Sequence, residues 1–206
     1  MDMLTYLNEM KYAASVSIDA VWSERIEAEA LEKRVSELTA EMEEGYRRSA
    51  VFQGCEDPDD VMLGVGIHWD TYFGADKERY HAQYDFNAVQ AKLSVRQFSV
   101  GSLSANLLQF AKQGISIVHD GLTNCPHGRA VGSQTIAAII WQSRNQSLHW
   151  EEGSFRAPVV TCFSALETEV DPKFGQYTNR NMAFEVVELL GWRSFQEFSN
   201  DLLSIA

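Results

Sequence analysis

The sequence predicts an all-α protein, a helical bundle that begins with one long helix. Residues 3–44 contain neither proline nor glycine, and the whole chain of 206 residues has only 4 prolines. No segment shows a convincing apolar–polar alternation of a half-buried strand, and no internal repeat is evident. A chain of this length can bury one good core, so we expect residues 1–206 to form a single domain, with two small domains as the alternative.

The N-terminal helix is predicted for residues 3–48, with at most one break. Leu31, Val35 and Leu38 recur at helical spacing among glutamate, lysine and arginine residues. An apolar stripe earlier in the segment widens around Trp22. Both stripes are typical of a protein core, and neither suggests a cofactor.

Further helices are predicted along the rest of the chain. Asp57 and Pro58 supply an N-cap and a first-turn proline for a second helical region. Gly64, Gly66 and Gly74 make the course of that region uncertain. Apolar pattern or composition then predicts helices over residues 80–98, 99–119, 131–152, 157–169 and 182–204.

Neither secretion nor insertion into a membrane is predicted. The N-terminus has no basic segment followed by an apolar run, and no stretch approaches ~18 uninterrupted apolar residues. Three cysteines, Cys55, Cys125 and Cys162, are too few and too scattered for a disulfide framework. We therefore expect a cytoplasmic protein with free thiols.

The formal net charge of −12 argues against a protein that coats nucleic acid through bulk electrostatics. We expect no binding to DNA. The charge is uneven, however, because residues 96–157 carry five basic and three acidic side chains, a net +2, and the remainder carries −14. A phosphate-bearing substrate could approach this stretch, although the pattern alone fits an ordinary solvated surface equally well.

The residues best suited to chemistry are Arg144 and Asn145, followed by three residues and His149. Arg144 and His149 are about 140° apart on a regular helix, so the long arginine side chain is expected to curl towards the histidine. A histidine can take the 2′-hydroxyl proton of RNA or protonate the leaving 5′-oxygen, while a guanidinium stabilises the charged phosphate. Asn145 would orient the histidine or a phosphate oxygen.

This motif resembles that of the HEPN superfamily: an arginine, then a polar Asn, Asp or His, then a histidine a few residues later. Its place late in an apolar helix, after a glycine-containing turn, also resembles the family. The resemblance implies a metal-independent, cofactor-free ribonuclease of the toxin or defence type, held in check by an antitoxin protein or by an activating condition. It also implies a homodimer in which Arg144 and His149 of both chains line one RNA groove. Only Arg144, Asn145 and His149 match the family by position.

Four other side chains are candidates for contact with RNA. Three of them, Lys112, Arg129 and Arg156, belong to the net-positive stretch. Trp150 directly follows the motif and could stack on a base. Burial in the core or in a dimer interface is the more ordinary role for such a tryptophan, because residues 136–141 are apolar all round.

Two alternatives stay open. His119, Cys125 and His127 surround one turn and have the chemistry of metal ligands, but they lack the usual ligand spacing and no second ligand pair follows, so we predict no metal site. The other alternative is a non-catalytic helical module, antitoxin-like or regulatory, that binds RNA or protein. In that case Arg144 forms a surface ion pair and His149 only ends a helix, or both serve to dock RNA.

Overall fold

The computed structural model describes the backbone of residues 1–206 and every side chain except that of Glu24. Throughout this described backbone the chain is helical apart from turns, loops and one pair of antiparallel strands of two residues each, which confirms the all-α class. In chain order the elements are α1 (Met3–Gln53), α2 (Pro58–Thr71), a π-helical turn (Tyr72–Asp76), α3 (Lys77–His119), a 3₁₀ turn (Leu122–Asn124), β1 (Ala130–Val131), β2 (Gln134–Thr135), α4 (Ile136–His149), a 3₁₀ turn (Trp150–Glu152), α5 (Ala157–Glu169), a 3₁₀ segment (Pro172–Thr178), α6 (Ala183–Leu190) and α7 (Phe195–Leu203). Of the helices that the structure describes, none is both long and apolar enough to cross a membrane.

Contacts group the chain into two compact units. Met1–Trp22 and Arg96–Ala206 form the first, which we call the core unit, and Ser23–Val95 forms the second, which we call the hairpin. Both α1 and α3 contribute residues to each unit. The single domain expected over residues 1–206 stays a prediction, and each unit is described by itself.

The core unit buries the inward faces of its helices around two tryptophans. Trp22, at the last position that α1 gives to this unit, donates a hydrogen bond from Nε1 to the Trp192 carbonyl at 2.7 Å. The Trp192 indole in turn donates to Asp201 Oδ2 at 2.8 Å. Both rings are almost wholly buried, so their polar atoms need these partners.

The hairpin brings α1 against α2, the π turn and the first part of α3. Leu38, Ala75 and Ala82 form its small apolar core. Two glycines allow the backbones to approach, because a side chain at Gly45 would overlap Thr71 and one at Gly64 would overlap the α1 backbone. Glycine therefore continues these helices instead of ending them, since a close helix–helix contact offsets its poor helix propensity.

Several predicted boundaries are wrong, three of them outside the helix that carries Arg144 and His149. α1 is unbroken and extends beyond residue 48 to Gln53. The helices predicted over 80–98 and 99–119 are one helix, α3. The single run predicted over 182–204 is two helices, because Gly191 turns the chain at φ 74° and Ser194 starts α7 with a capping box.

Candidate functional site

α4 carries the motif, and the short strand pair β1–β2 directly precedes the start of this helix. β1 and β2 pair antiparallel, and Gly132 turns the chain between them at φ 59°, a left-handed conformation that favours glycine. Thr135 then caps α4, because its Oγ1 accepts a hydrogen bond from the Ala138 backbone N–H at 3.3 Å. The helix therefore begins at Ile136, not at residue 131 as predicted, and the two short strands were not predicted at all.

The motif occupies the last turns of α4. The α-helix ends at His149, three residues before its predicted end, and a 3₁₀ turn follows over Trp150–Glu152. Gly153, in the left-handed region at φ 65°, closes that turn as predicted.

The outward edge of α4 holds the residues of the predicted site. Arg144 and Asn145 are half-buried, and Leu148 and His149 are exposed. Trp141, which we expected on an apolar all-round segment, is also half-buried on this side. We call these five residues the motif edge. Arg144 and His149 are therefore both accessible to solvent, as a residue that contacts a substrate must be.

Two side chains hold the Arg144 guanidinium. Its Nε donates to Gln109 Oε1 of α3 at 2.6 Å, and its Nη1 donates to Asn145 Oδ1 at 3.3 Å. Within the described side chains, Nη2 has no acceptor, so this arm of the fork is available to a ligand oxygen. Asn145 thus touches the arginine, whereas we expected it to orient the histidine or a phosphate.

His149 is held by an acidic neighbour one turn further along. Its Nδ1 lies 2.7 Å from Glu152 Oε1. When Nδ1 carries the proton it donates to this carboxylate, which leaves Nε2 as the atom that can accept or give a proton. Both side chains are more than half exposed, so the pair itself adds little to stability.

A second cation lies beside the motif edge. Lys112 of α3 places Nζ 4.4 Å from the centre of the Trp141 ring, a cation–π contact. Lys112 is one helical turn from Gln109, so the same side of α3 supplies both the support for Arg144 and a further positive charge. Of the predicted RNA contacts, Lys112 is the one that the structure brings to the motif edge.

The other predicted RNA contacts lie elsewhere or lack a link to the motif. Arg129 donates hydrogen bonds to the Asp201 carboxylate at 2.7 and 2.9 Å and to the Leu190 carbonyl at 2.9 Å. The hydrogen bond to Asp201 raises the pKa of the Arg129 guanidinium. Arg156 is exposed at the N-cap of α5. Trp150 is half-buried in the 3₁₀ turn directly after His149.

The inward side of the motif is fixed by Gln146, which sequence reasoning overlooked. Its amide is fully buried, donating from Nε2 to the Tyr177 and Arg180 carbonyls at 2.7 Å each. Its Oε1 accepts from the Met182 backbone N–H at 3.1 Å. The middle of the motif therefore anchors the chain segment that enters α6.

The residues considered as metal ligands do not form a common site. His119 Nε2 lies 2.7 Å from the Ile205 carbonyl, and Cys125 is buried nearby while His127 is exposed. Burial raises the pKa of the Cys125 thiol, which disfavours the thiolate that a metal needs. Among the side chains that the structure describes, no three His, Cys, Asp or Glu residues converge on a common point. The three cysteines are free thiols, as expected.

Besides Gln146, Gln109 and Glu152 are candidate-site residues that the sequence did not single out. Glu152 follows His149 by three residues, a spacing that places two side chains on one face of a helix, so it could have been found. Gln109 is one polar residue among the leucines and phenylalanine of an amphipathic helix, and nothing in the pattern distinguishes it.

No protein-family model matches the chain, and neither a curated protein nor a solved structure does. The HEPN resemblance therefore stays a prediction. It rests on Arg144, Asn145 and His149 together with the helical class of the fold.

Proposed function

We propose that the protein is a metal-independent endoribonuclease that acts through Arg144 and His149. The observation that carries this proposal is the open motif edge, on which a supported guanidinium and an oriented imidazole lie on one helix end. Lys112 adds positive charge beside them. The arrangement suits phosphoryl transfer, because the His149 imidazole can carry a proton and the Arg144 guanidinium can bind a phosphate oxygen. Neither residue is buried.

The proposed reaction is an internal transfer at phosphorus. His149 Nε2 takes the proton of the 2′-hydroxyl, and the freed oxygen attacks the adjacent phosphorus while the bond to the 5′-oxygen breaks. The departing 5′-oxygen takes up a proton, and the fragments are a 2′,3′-cyclic phosphate and a 5′-hydroxyl. Arg144 Nη2 donates to the phosphate oxygen on which negative charge develops.

A second copy of the chain would complete the proposed site. One imidazole can serve as base, but protonation of the leaving oxygen is fastest when a separate acid is in place. In a homodimer, as the HEPN resemblance implies, the partner's copy of the same histidine fills that role. Leu148 supports this arrangement, because it is 45% exposed in the middle of the motif edge and an apolar residue there suits a subunit contact.

The proposal is tested by the chemistry of the products. Purified protein in EDTA should cut single-stranded RNA to fragments that end in 2′,3′-cyclic phosphate, detected by their resistance to phosphatase until the ring is opened with acid. An RNA of the same sequence with 2′-deoxy sugars should stay intact, because it has no attacking hydroxyl. Cleavage of the deoxy substrate, or cleavage that stops in EDTA, would refute the mechanism.

Gln109 provides a separate prediction about positioning. Replacing it with leucine removes the acceptor for Arg144 Nε while keeping a side chain of similar size, so the guanidinium loses its orientation. We expect kcat to fall about tenfold with KM little changed, as for a group misplaced by a fraction of an ångström. Gln113→Leu, one turn further along the same helix and exposed, is the matched control. Equal kcat values for the two variants would exclude a positioning role.

A non-catalytic helical module, antitoxin-like or regulatory, is the second candidate. The half-exposed state of Trp141 and Leu148 favours it, since such a surface can bind a partner without cutting anything. Under this alternative the pure protein binds RNA or protein stably and leaves RNA intact. The product assay above distinguishes the two functions directly.

A further inference from the structure

The hairpin exposes an aromatic cluster that the proposed nuclease site does not use. Trp69, Tyr72 and Phe73 are 51%, 48% and 64% exposed, yet they contact one another. The Trp69 and Phe73 rings stack with centroids 5.7 Å apart, and Tyr72 meets both rings edge-on. Large apolar groups that touch each other in solvent are uncommon unless another surface covers them.

The cluster belongs to a line of exposed apolar residues along α2 and the π turn that follows it. Met62, Trp69 and Phe73 are separated by seven and four residues, so they lie along one side of the helix over about 16 Å. We call Met62, Trp69, Tyr72 and Phe73 the aromatic patch. The opposite side of α2, at Gly64 and Thr71, is the side that α1 covers, so the hairpin's own core does not account for the patch.

A gap interrupts this line at Gly66. The residue falls between Met62 and Trp69 on the same side of α2, and a side chain built there would meet nothing within 4 Å. The π turn that follows, Tyr72–Asp76, widens the helix at the point where Tyr72 and Phe73 are both exposed. A ridge of large side chains with a hole one residue wide is the surface that a second helix uses for interlocking contacts.

The charge around the patch restricts what can cover it. Residues 49–76 contain no lysine or arginine and six carboxylates. The hairpin as a whole has sixteen acidic and eight basic residues. Nucleic acid and anionic lipid would be repelled, and a second copy of the hairpin would bring the same negative charge to the contact.

We propose that the aromatic patch binds a basic amphipathic helix of a partner protein. Its apolar side chains lie along Met62, Trp69 and Phe73, and one of them enters the gap at Gly66. Its lysine and arginine side chains face the carboxylates of this acidic segment, among them Asp70, which is exposed and directly follows Trp69 in the sequence. This is recognition of an amphipathic helix by an apolar ridge, with complementary charge around it.

Binding of a defined peptide to the full-length protein tests the proposal. The probe is a fluorescein-labelled leucine–lysine helix of about five turns, and the same peptide with glutamate in place of lysine is the charge control. Anisotropy should show the lysine peptide bound at least about tenfold more tightly than the glutamate peptide, which corresponds to ~1.4 kcal/mol. Equal affinity for both peptides would overturn the proposal.

Three variants locate the contact. Trp69→Ala combined with Phe73→Ala should weaken binding of the lysine peptide about tenfold. Gly66→Leu should weaken it severalfold without destabilising the fold, because a Cβ at this position has no neighbouring atom within 4 Å and leucine favours the helix more than glycine does. Tyr12→Ala, an 82% exposed residue of the core unit, should bind like the unmodified protein.

Two further results would contradict the proposal. Equal affinity in all three variants would mean that the peptide is attracted by net charge alone. Sedimentation showing that the unmodified protein dimerises, and that the Trp69 and Phe73 substitutions abolish the dimer, would assign the patch to a second copy instead.

Discussion

His149→Ala should lower the rate of RNA cleavage about a thousandfold. The substitution removes the group that carries the proton at both ends of the reaction, and general acid–base catalysis typically contributes 10²- to 10⁴-fold. Arg144→Ala should cause a loss of about 10²- to 10³-fold, because it removes the charged donor at the phosphate. Since the two groups act on one transition state, the double variant should be little slower than the worse single variant.

The control for this experiment is His127→Ala, which changes another exposed histidine of the core unit. All variants should melt within a few degrees of the unmodified protein, since the hydrogen bonds of Arg144 are only half-buried and the His149 pair is exposed. Cleavage rates are measured on one labelled RNA in EDTA. If His149→Ala and Arg144→Ala cut RNA as fast as His127→Ala, the motif is not the active site.

Asp201→Ala should destabilise the core unit by about 3 kcal/mol. The substitution removes the acceptor of Arg129 Nε, one of the two acceptors of Arg129 Nη2, and the side-chain acceptor of the buried Trp192 indole N–H. Removing one partner from such a group is costly because the other partner stays desolvated. The Arg129 side chain is 42% exposed, so water replaces part of what it loses and the effect falls at the lower end for a buried ion pair.

Urea unfolding followed by tryptophan fluorescence measures this loss. Asp19→Ala, an exposed carboxylate on α1, is the matched control and should change stability by less than about 0.5 kcal/mol. Combining Asp201→Ala with Arg129→Ala gives the coupling between the two residues. If Arg129→Ala leaves stability unaffected but weakens RNA binding, Arg129 is an RNA contact, as the sequence suggested, and not a structural one.

Much of the helical architecture was predictable because apolar spacing records which side of a helix is buried. The start of α2 is an example, since Asp57 does accept a hydrogen bond from Asp59 N–H and Pro58 does occupy the first turn. The split between α6 and α7 was also readable, because Gly191 and the Ser194–Glu197 capping box are local signals. It was missed because apolar spacing resumes beyond the break.

Other features depend on contacts that no local pattern contains. Gly45 and Gly64 look like helix breakers until their neighbours across the hairpin are known. The π turn at Tyr72–Asp76 has no compositional signature, and strands of two residues are too short to show alternation. In the candidate site, Arg144 and His149 were chosen by residue type and spacing alone, and their role stays a prediction. The role of Gln109 depends on how α3 lies beside α4, which sequence spacing does not give.

The buried amide of Gln146 has a consequence for how this protein can change. On the inward side of the last turns of α4, Gln146 bonds to three backbone groups of the segment that precedes α6. The outward side of the same turns carries the groups proposed to act on RNA. The fold depends on the buried groups, and the proposed reactivity depends on the exposed ones. Variants that lose the proposed activity should therefore be as easy to produce and purify as the unmodified protein, and the exposed residues could be replaced without disturbing the fold.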